Sequence, residues 1–207
     1  YAYRISGMKE MRVVLPSIER PKKLPVVLGR NEVRRLLRAP KLLKHRLVLA
    51  MLYGCGLRNF ELCNLQLKDL DLERKMLHVR QGKGRKDRYV PLCAMQVRGL
   101  RKYISAERPV TWCFNGNDSK GGPVALSARG VQWIVKEARK HSGIQKEVTT
   151  HSLRHSYATH LLEMGLDIMS VKDLLGHADI QTTLTYLHVA QLGRQRPFSP
   201  LERLYDK

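Results

Sequence analysis

Apolar positions in the first 26 residues keep no period: "RVVLPSIERPKKLPVV" mixes three prolines with clustered charges, which predicts a linker over 1–26. From Asn31 the pattern turns helical, with Asn31 as the expected N-cap, Val33, Leu36 and Leu37 on one face, and Pro40 as an interruption. "LLKHRLVLAMLYGCG" then reads as a largely buried helix closed by glycines. Further helical stretches are predicted over 94–107, 127–142, 150–164 closed by Gly165, 168–175 closed by Gly176, and once more after Asp179. Between them, "GLRNFELCNLQLKDLDL" reads as a short helix and turn. "KMLHVRQGKGRKDRYVPL" reads as two strands around a turn of glycine and lysine, a hairpin with a cationic tip. The expected fold is mainly α with a small antiparallel β-sheet (α+β), its domain over 27–193, followed by a tail over 194–207 that bears Leu201 and Leu204.

Composition adds a partner to this picture. The 207 residues suit one sizeable domain. No apolar run approaches the roughly 18 to 20 residues of a membrane span, so a soluble protein with no membrane partner is expected. Lys and Arg number 38 against 18 Asp and Glu, a net charge of +20 spread along the chain, and a polyanion is the expected partner. Cys55, Cys63, Cys93 and Cys113 show no CxxC spacing; they read as reduced thiols in a cytoplasmic protein rather than a zinc ribbon or a disulfide framework. The chain opens on Tyr1 rather than Met, which suggests a piece of something longer.

Candidate chemistry concentrates in four places. In "THSLRHSYATHLLEMG", Thr150 is the expected N-cap, and His151, Arg154 and His155 share one face at i, i+3 and i+4, near a helix N-terminus that favours anions. Zinc is disfavoured there, because "HSLRH" lacks the glutamate of H-E-x-x-H and places an arginine between the ligands. Gly176 ends a helix and leaves His177 at a sharp turn. In "GHADIQTTLTYLHV", Ile180, Leu184 and Leu187 fall within roughly 60° on a helical projection, which turns Tyr186 away from the core stripe. A phenol has a pKa near ~10, so a nucleophilic tyrosine needs a proton acceptor and nearby cations. Arg58 and Arg154 could clamp a phosphate, and Lys83, between two glycines at the hairpin tip, could protonate a leaving oxygen.

In this order the motifs resemble the tyrosine recombinase, or phage integrase, family. "GCGLRNFELCNLQLKDLDL" is similar to its first arginine box, "GKGRKDRYVPL" to its lysine hairpin, "HSLRHSYATHLL" to its H-x-L-R-H box and "LLGHADIQTTLTYLHV" to its histidine and tyrosine box. The resemblance implies a type IB topoisomerase-like catalytic fold with an active site of Arg58, Lys83, His151, Arg154, His177 and Tyr186, supported by Glu61 and His155. It also implies cleavage and rejoining of double-stranded DNA through a 3′-phosphotyrosine, with neither ATP nor metal as cofactor and no small-molecule substrate. The tyrosine would attack, the arginines would stabilise the phosphorane-like state, His151 would assist proton removal, and His177 would contact a non-bridging oxygen. A tetramer on DNA, of like or mixed protomers, is implied too, with residues 194–207 docking on a neighbour. A nicking-closing topoisomerase and a non-catalytic DNA-binding module are the alternatives.

Overall fold

A helix built on "LKHRLVLAMLYG" forms the centre of the molecule, because its apolar positions run all the way round rather than along one stripe. A computed structural model describes residues 25–80, 87–117, 123–187 and 190. In chain order come α1 (Arg30–Arg38), α2 (Leu43–Gly54), α3 (Asn59–Cys63), β1 (Leu70–Asp71), β2 (Met76–Val79), β3 (Arg88–Pro91), α4 (Ala94–Glu107), β4 (Asn115–Asn117), β5 (Pro123–Ala125), α5 (Ala128–Ser142), α6 (Thr150–Glu163), α7 (Ile168–Leu175) and α8 (Gln181–Leu184). The fold is mainly helical with small antiparallel sheets. Helix α2 packs against α1, α4, α5 and α6, and Leu47, Val48, Leu49, Met51 and Leu52 are buried there.

The hairpin expected around the lysine turn is formed by β2 and β3, in the register Leu77 to Val90 and Val79 to Arg88, with β1 added beside β2. Its tip, with Lys83, lies outside the described residues, as do the segment over 1–24 and the tail over 191–207. Two N-caps shift by one or two residues. Gly29, not Asn31, precedes α1, with its N–H donated to Glu32 Oε2 at 2.7 Å; Asn31 lies inside the helix and accepts from Arg34. Thr149, not Thr150, caps α6, because its Oγ1 is the one placed to accept the Ser152 N–H, at 3.2 Å.

A second small hairpin, β4 with β5, was not readable from the pattern; three-residue strands in a glycine-rich stretch are too short to show a period of two. Beside the main core lies a smaller cluster of Tyr157, Ala158, Leu162, Val171, Leu175 and Tyr186, gathered from α6, α7 and the turn after α8. Helix α7 packs on both α6 and β3, and this brings distant segments of the sequence together at its C-terminal end.

Candidate active site

Three arginines from three elements converge on the C-terminus of α7. Gly176 closes that helix in the left-handed conformation, φ 62°, and the last carbonyls point away from the helix with no partner of their own. Arg88 Nε donates to the Leu174 carbonyl at 2.8 Å, Arg154 Nη2 to Leu175 at 2.6 Å, and Arg58 Nη2 to Gly176 at 3.0 Å. Cations are favoured at this end of a helix, where the partial charge is negative. Arg154 makes a second bond, from Nη1 to the Gly56 carbonyl at 2.5 Å, which fixes its fork from both sides.

Glu61 is the carboxylate at the centre. It sits in the first turn of α3, where its Oε2 accepts the Arg58 N–H at 2.8 Å and its Oε1 accepts Arg58 Nη1 at 2.7 Å. From β3, Arg88 adds a bidentate pair, Nη1 to Oε1 at 2.9 Å and Nη2 to Oε2 at 2.8 Å. Burial alone would raise the Glu61 carboxyl, but the Arg88 fork, followed by the Arg58 bonds, outweighs it and holds the group at about 2. Arg154 is buried and 4.0 Å from Glu61; burial first, then Arg58, brings it down to about 10. One negative charge thus faces three positive ones.

Tyr186 stands next to this cluster. Its hydroxyl is 2.9 Å from His155 Nδ1, and its ring lies nearly parallel to that of His177, centroids 6.2 Å apart. Burial raises the phenol above its ordinary value, with Arg154 and Arg58 pulling the other way. Burial also brings His155 down to about 4, helped by His151 and Arg154, and His177 to about 3, helped by Arg154, Arg58 and Arg88. Both rings are therefore neutral near pH 7, each with one nitrogen able to accept a proton. His177 is turned by the bond between its Nδ1 and Thr183 Oγ1, 2.9 Å.

The helical projection that turned Tyr186 out of the core is corrected here: the residue is 3% exposed. Helix α8 lasts one turn only, and beyond it the Tyr186 N–H bonds the Thr183 carbonyl and the Leu187 N–H bonds that of Leu184, three residues back in each case. At three residues per turn, Thr183 and Tyr186 fall on one line, and both are buried. The fold brings Arg58, Glu61, Arg154, His155, His177 and Tyr186 into one site. His151 lies at its exposed rim, its ring 6.4 Å from that of His155, and it is His155 that holds the hydroxyl. Lys83 falls outside the described residues.

Arg88 escaped the sequence reading. The signal was present in strand alternation: β3 buries Arg88 and Val90 and exposes Tyr89 and Pro91, so Arg88 points inward and requires a buried anion.

The whole domain matches a known family model. The model of the phage integrase family aligns with residues 27–192. The chain belongs to the phage integrase family. It is 40% identical over 189 residues to tyrosine recombinase XerA of Thermococcus kodakarensis, an alignment that covers 90% of this chain and 66% of that protein. A tyrosine recombinase of Thermosipho africanus is 39% identical over 196 residues, 93% of this chain and 66% of that protein. The chain thus spans just under two thirds of these relatives. Among solved structures, the XerA recombinase crystal structure superposes with a TM-score of 0.76 at 31% identity, covering 89% of this chain and 68% of that one. The XerH site-specific recombinase bound to its palindromic difH substrate after cleavage gives 0.71 at 27% identity, covering 82% and 51%.

Proposed function

We propose that this family member is the strand-cleaving and rejoining domain of a site-specific DNA recombinase, with double-stranded DNA as substrate and Tyr186 as nucleophile. The observation that carries this reading is the charge imbalance beside the phenol: Arg58, Arg88 and Arg154 share the single carboxylate of Glu61, next to a hydroxyl already bonded to a neutral imidazole. A multi-oxygen anion is the ligand that such a set of forks accommodates, and a phosphodiester has the required two free oxygens. Relatives of this chain have been crystallised on DNA, XerH before and after cleavage, which supports the choice of substrate.

In the proposed step, the Tyr186 oxygen forms a bond to phosphorus as the bond to the 5′-oxygen breaks. The phenolic proton passes to His155, the ring that holds it, and His151 is the next titratable group towards solvent. Arg58 and Arg154 stabilise the charge on the non-bridging oxygens, with His177 beside them, and the leaving 5′-oxygen takes its proton from Lys83. One phosphoester replaces another, so a 5′-hydroxyl can reverse the reaction without an energy source. By the same resemblance, we assign the chain to a tetramer of like or mixed protomers on DNA, working in the cytoplasm.

The test is a covalent trap. In EDTA, the 207-residue chain incubated with a randomised pool of nicked suicide duplexes should form an adduct, which peptide mass spectrometry places on Tyr186. Tyr186→Phe should bind the same DNA and form none. An adduct with the Phe variant would remove Tyr186 from the role. Relaxation of supercoils by the wild-type chain with no exchanged strands would redirect the reading to a nicking-closing enzyme.

A further inference from the structure

Three features of Arg88 are left unused by the reaction just proposed: it is buried, it lies on the hairpin rather than on a site helix, and each nitrogen of its fork is already engaged. Nη1 and Nη2 are on the two oxygens of Glu61 and Nε is on the Leu174 carbonyl. Three of its five N–H are thereby committed to holding Glu61 and the α7 terminus. Arg88 thus touches what holds the two arginines assigned to phosphate. Arg58 is held by Glu61 and the Gly176 carbonyl, and Arg154 by the Gly56 and Leu175 carbonyls. Arg88 grips Glu61 directly and grips the α7 terminus one carbonyl before those two. It also packs against Gly176, where a Cβ would come 3.1 Å from its Cδ and Nη1.

The Glu61 carboxylate is full as it stands. Each oxygen accepts two bonds, one from Arg58 and one from Arg88, which uses the roughly four acceptor positions of a carboxylate. Arg154 Nη1 waits 4.0 Å from Oε2, near enough for attraction and too far for a hydrogen bond. Were Arg88 absent, two acceptor positions on a buried anion would open beside that nitrogen. Closing the gap by about an ångström would give Glu61 its bond and draw Arg154 off Gly56, out of the phosphate-facing geometry.

Resting on the phosphotyrosine reading above, we propose that Arg88 is a positioning residue for DNA cleavage: by saturating Glu61 and pinning the α7 terminus, it keeps the forks of Arg58 and Arg154 in the orientation that the scissile phosphate requires. Lysine cannot substitute, since one ammonium cannot span two carboxylate oxygens and a carbonyl in a fixed plane.

The experiment uses the duplex recovered from the suicide pool and measures single-turnover adduct formation and DNA affinity side by side. Arg88→Ala should slow adduct formation on the order of 100-fold, in the range of a lost transition-state donor, at nearly unchanged affinity. Free guanidinium ion should restore part of the rate in a saturable way in that variant and not in wild type. Where Arg88→Ala lacks a cooperative melt, Arg88→Lys carries the same comparison and should also be slow. Wild-type rates in the Arg88 variants, or a rate loss matched by an equal loss of affinity, overturn the proposal while a wild-type Tyr186 adduct leaves the phosphotyrosine reading standing. A wild-type chain that forms no Tyr186 adduct overturns both.

Discussion

Helices α5 and α7 end in the same way: each closes on a glycine in the left-handed conformation, Gly143 at φ 69° and Gly176 at φ 62°. Around Gly143 an added Cβ would meet nothing within 4 Å, and the nearby polar groups serve their own segment: Arg139 Nη2 donates to the Gln145 carbonyl at 3.0 Å and Ser142 to that of Arg139 at 2.8 Å. Around Gly176 the three consecutive carbonyls of residues 174–176 are each taken by an arginine that is between 21 and 118 residues away in the chain. Both ends obey the same local rule, and both carry the same partial negative charge. What separates them is whether the fold brings distant cations to that charge.

The largest effect expected from this difference is on catalysis. Arg154→Ala should lower adduct formation about 100-fold or more, because it removes a donor to the developing charge, whereas Arg139→Ala at the other helix end should leave it unchanged. Single-turnover trapping checks both, and a slow Arg139→Ala would break the contrast.

Stability should separate the two glycines less sharply. Gly143→Ala forces a left-handed alanine into open space, for about 1 kcal/mol. Gly176→Ala adds a 3.1 Å approach to an Arg88 held by Glu61 and the Leu174 carbonyl, for about 1 to 3 kcal/mol beyond that. Urea unfolding measures the pair, and equal losses would show that Arg88 yields freely.

The smallest effect is expected in mild acid and sharpens the same contrast, because the histidine following Gly176 is held unprotonated. His177 at about 3 and His155 at about 4 lie below their ordinary 6.5, so the unfolded chain binds more protons. Their contribution is complete above about pH 6.5 and is lost as the pH falls through the two folded values. Between about pH 7 and 5 the melting temperature should therefore decline, and His177→Gln should make that decline shallower. The same slope in both proteins would place the acid sensitivity elsewhere.

Much of this site could be read in one dimension, since guanidinium, imidazole and phenol are residue types that a phosphate transfer requires. Their partners could not. Helical spacing put His151, Arg154 and His155 on one face, and packing then buried Arg154, left His151 at the rim and gave the Tyr186 hydroxyl to His155. Arg88 looked like one more cation in a basic hairpin until its alternation with Val90 was matched to an anion 27 residues earlier.

The sequence by itself determined the main helices and the lysine hairpin, the glycine stop of α7 and the excess of positive charge, and its motifs carried the resemblance to the family. The elements and the charge follow from local sterics, periodicity and composition, and the family from the resemblance of four motifs in order. Only the tertiary structure decided that Tyr186 is buried, that Glu61 is shared by two arginines with a third 4.0 Å away, and that one helix end gathers cations from distant segments while the cations at its twin are its own. The physical reason is the same in all three cases. A buried charge or hydroxyl is tolerated only with a partner, and nothing in its immediate sequence says which distant group will supply one.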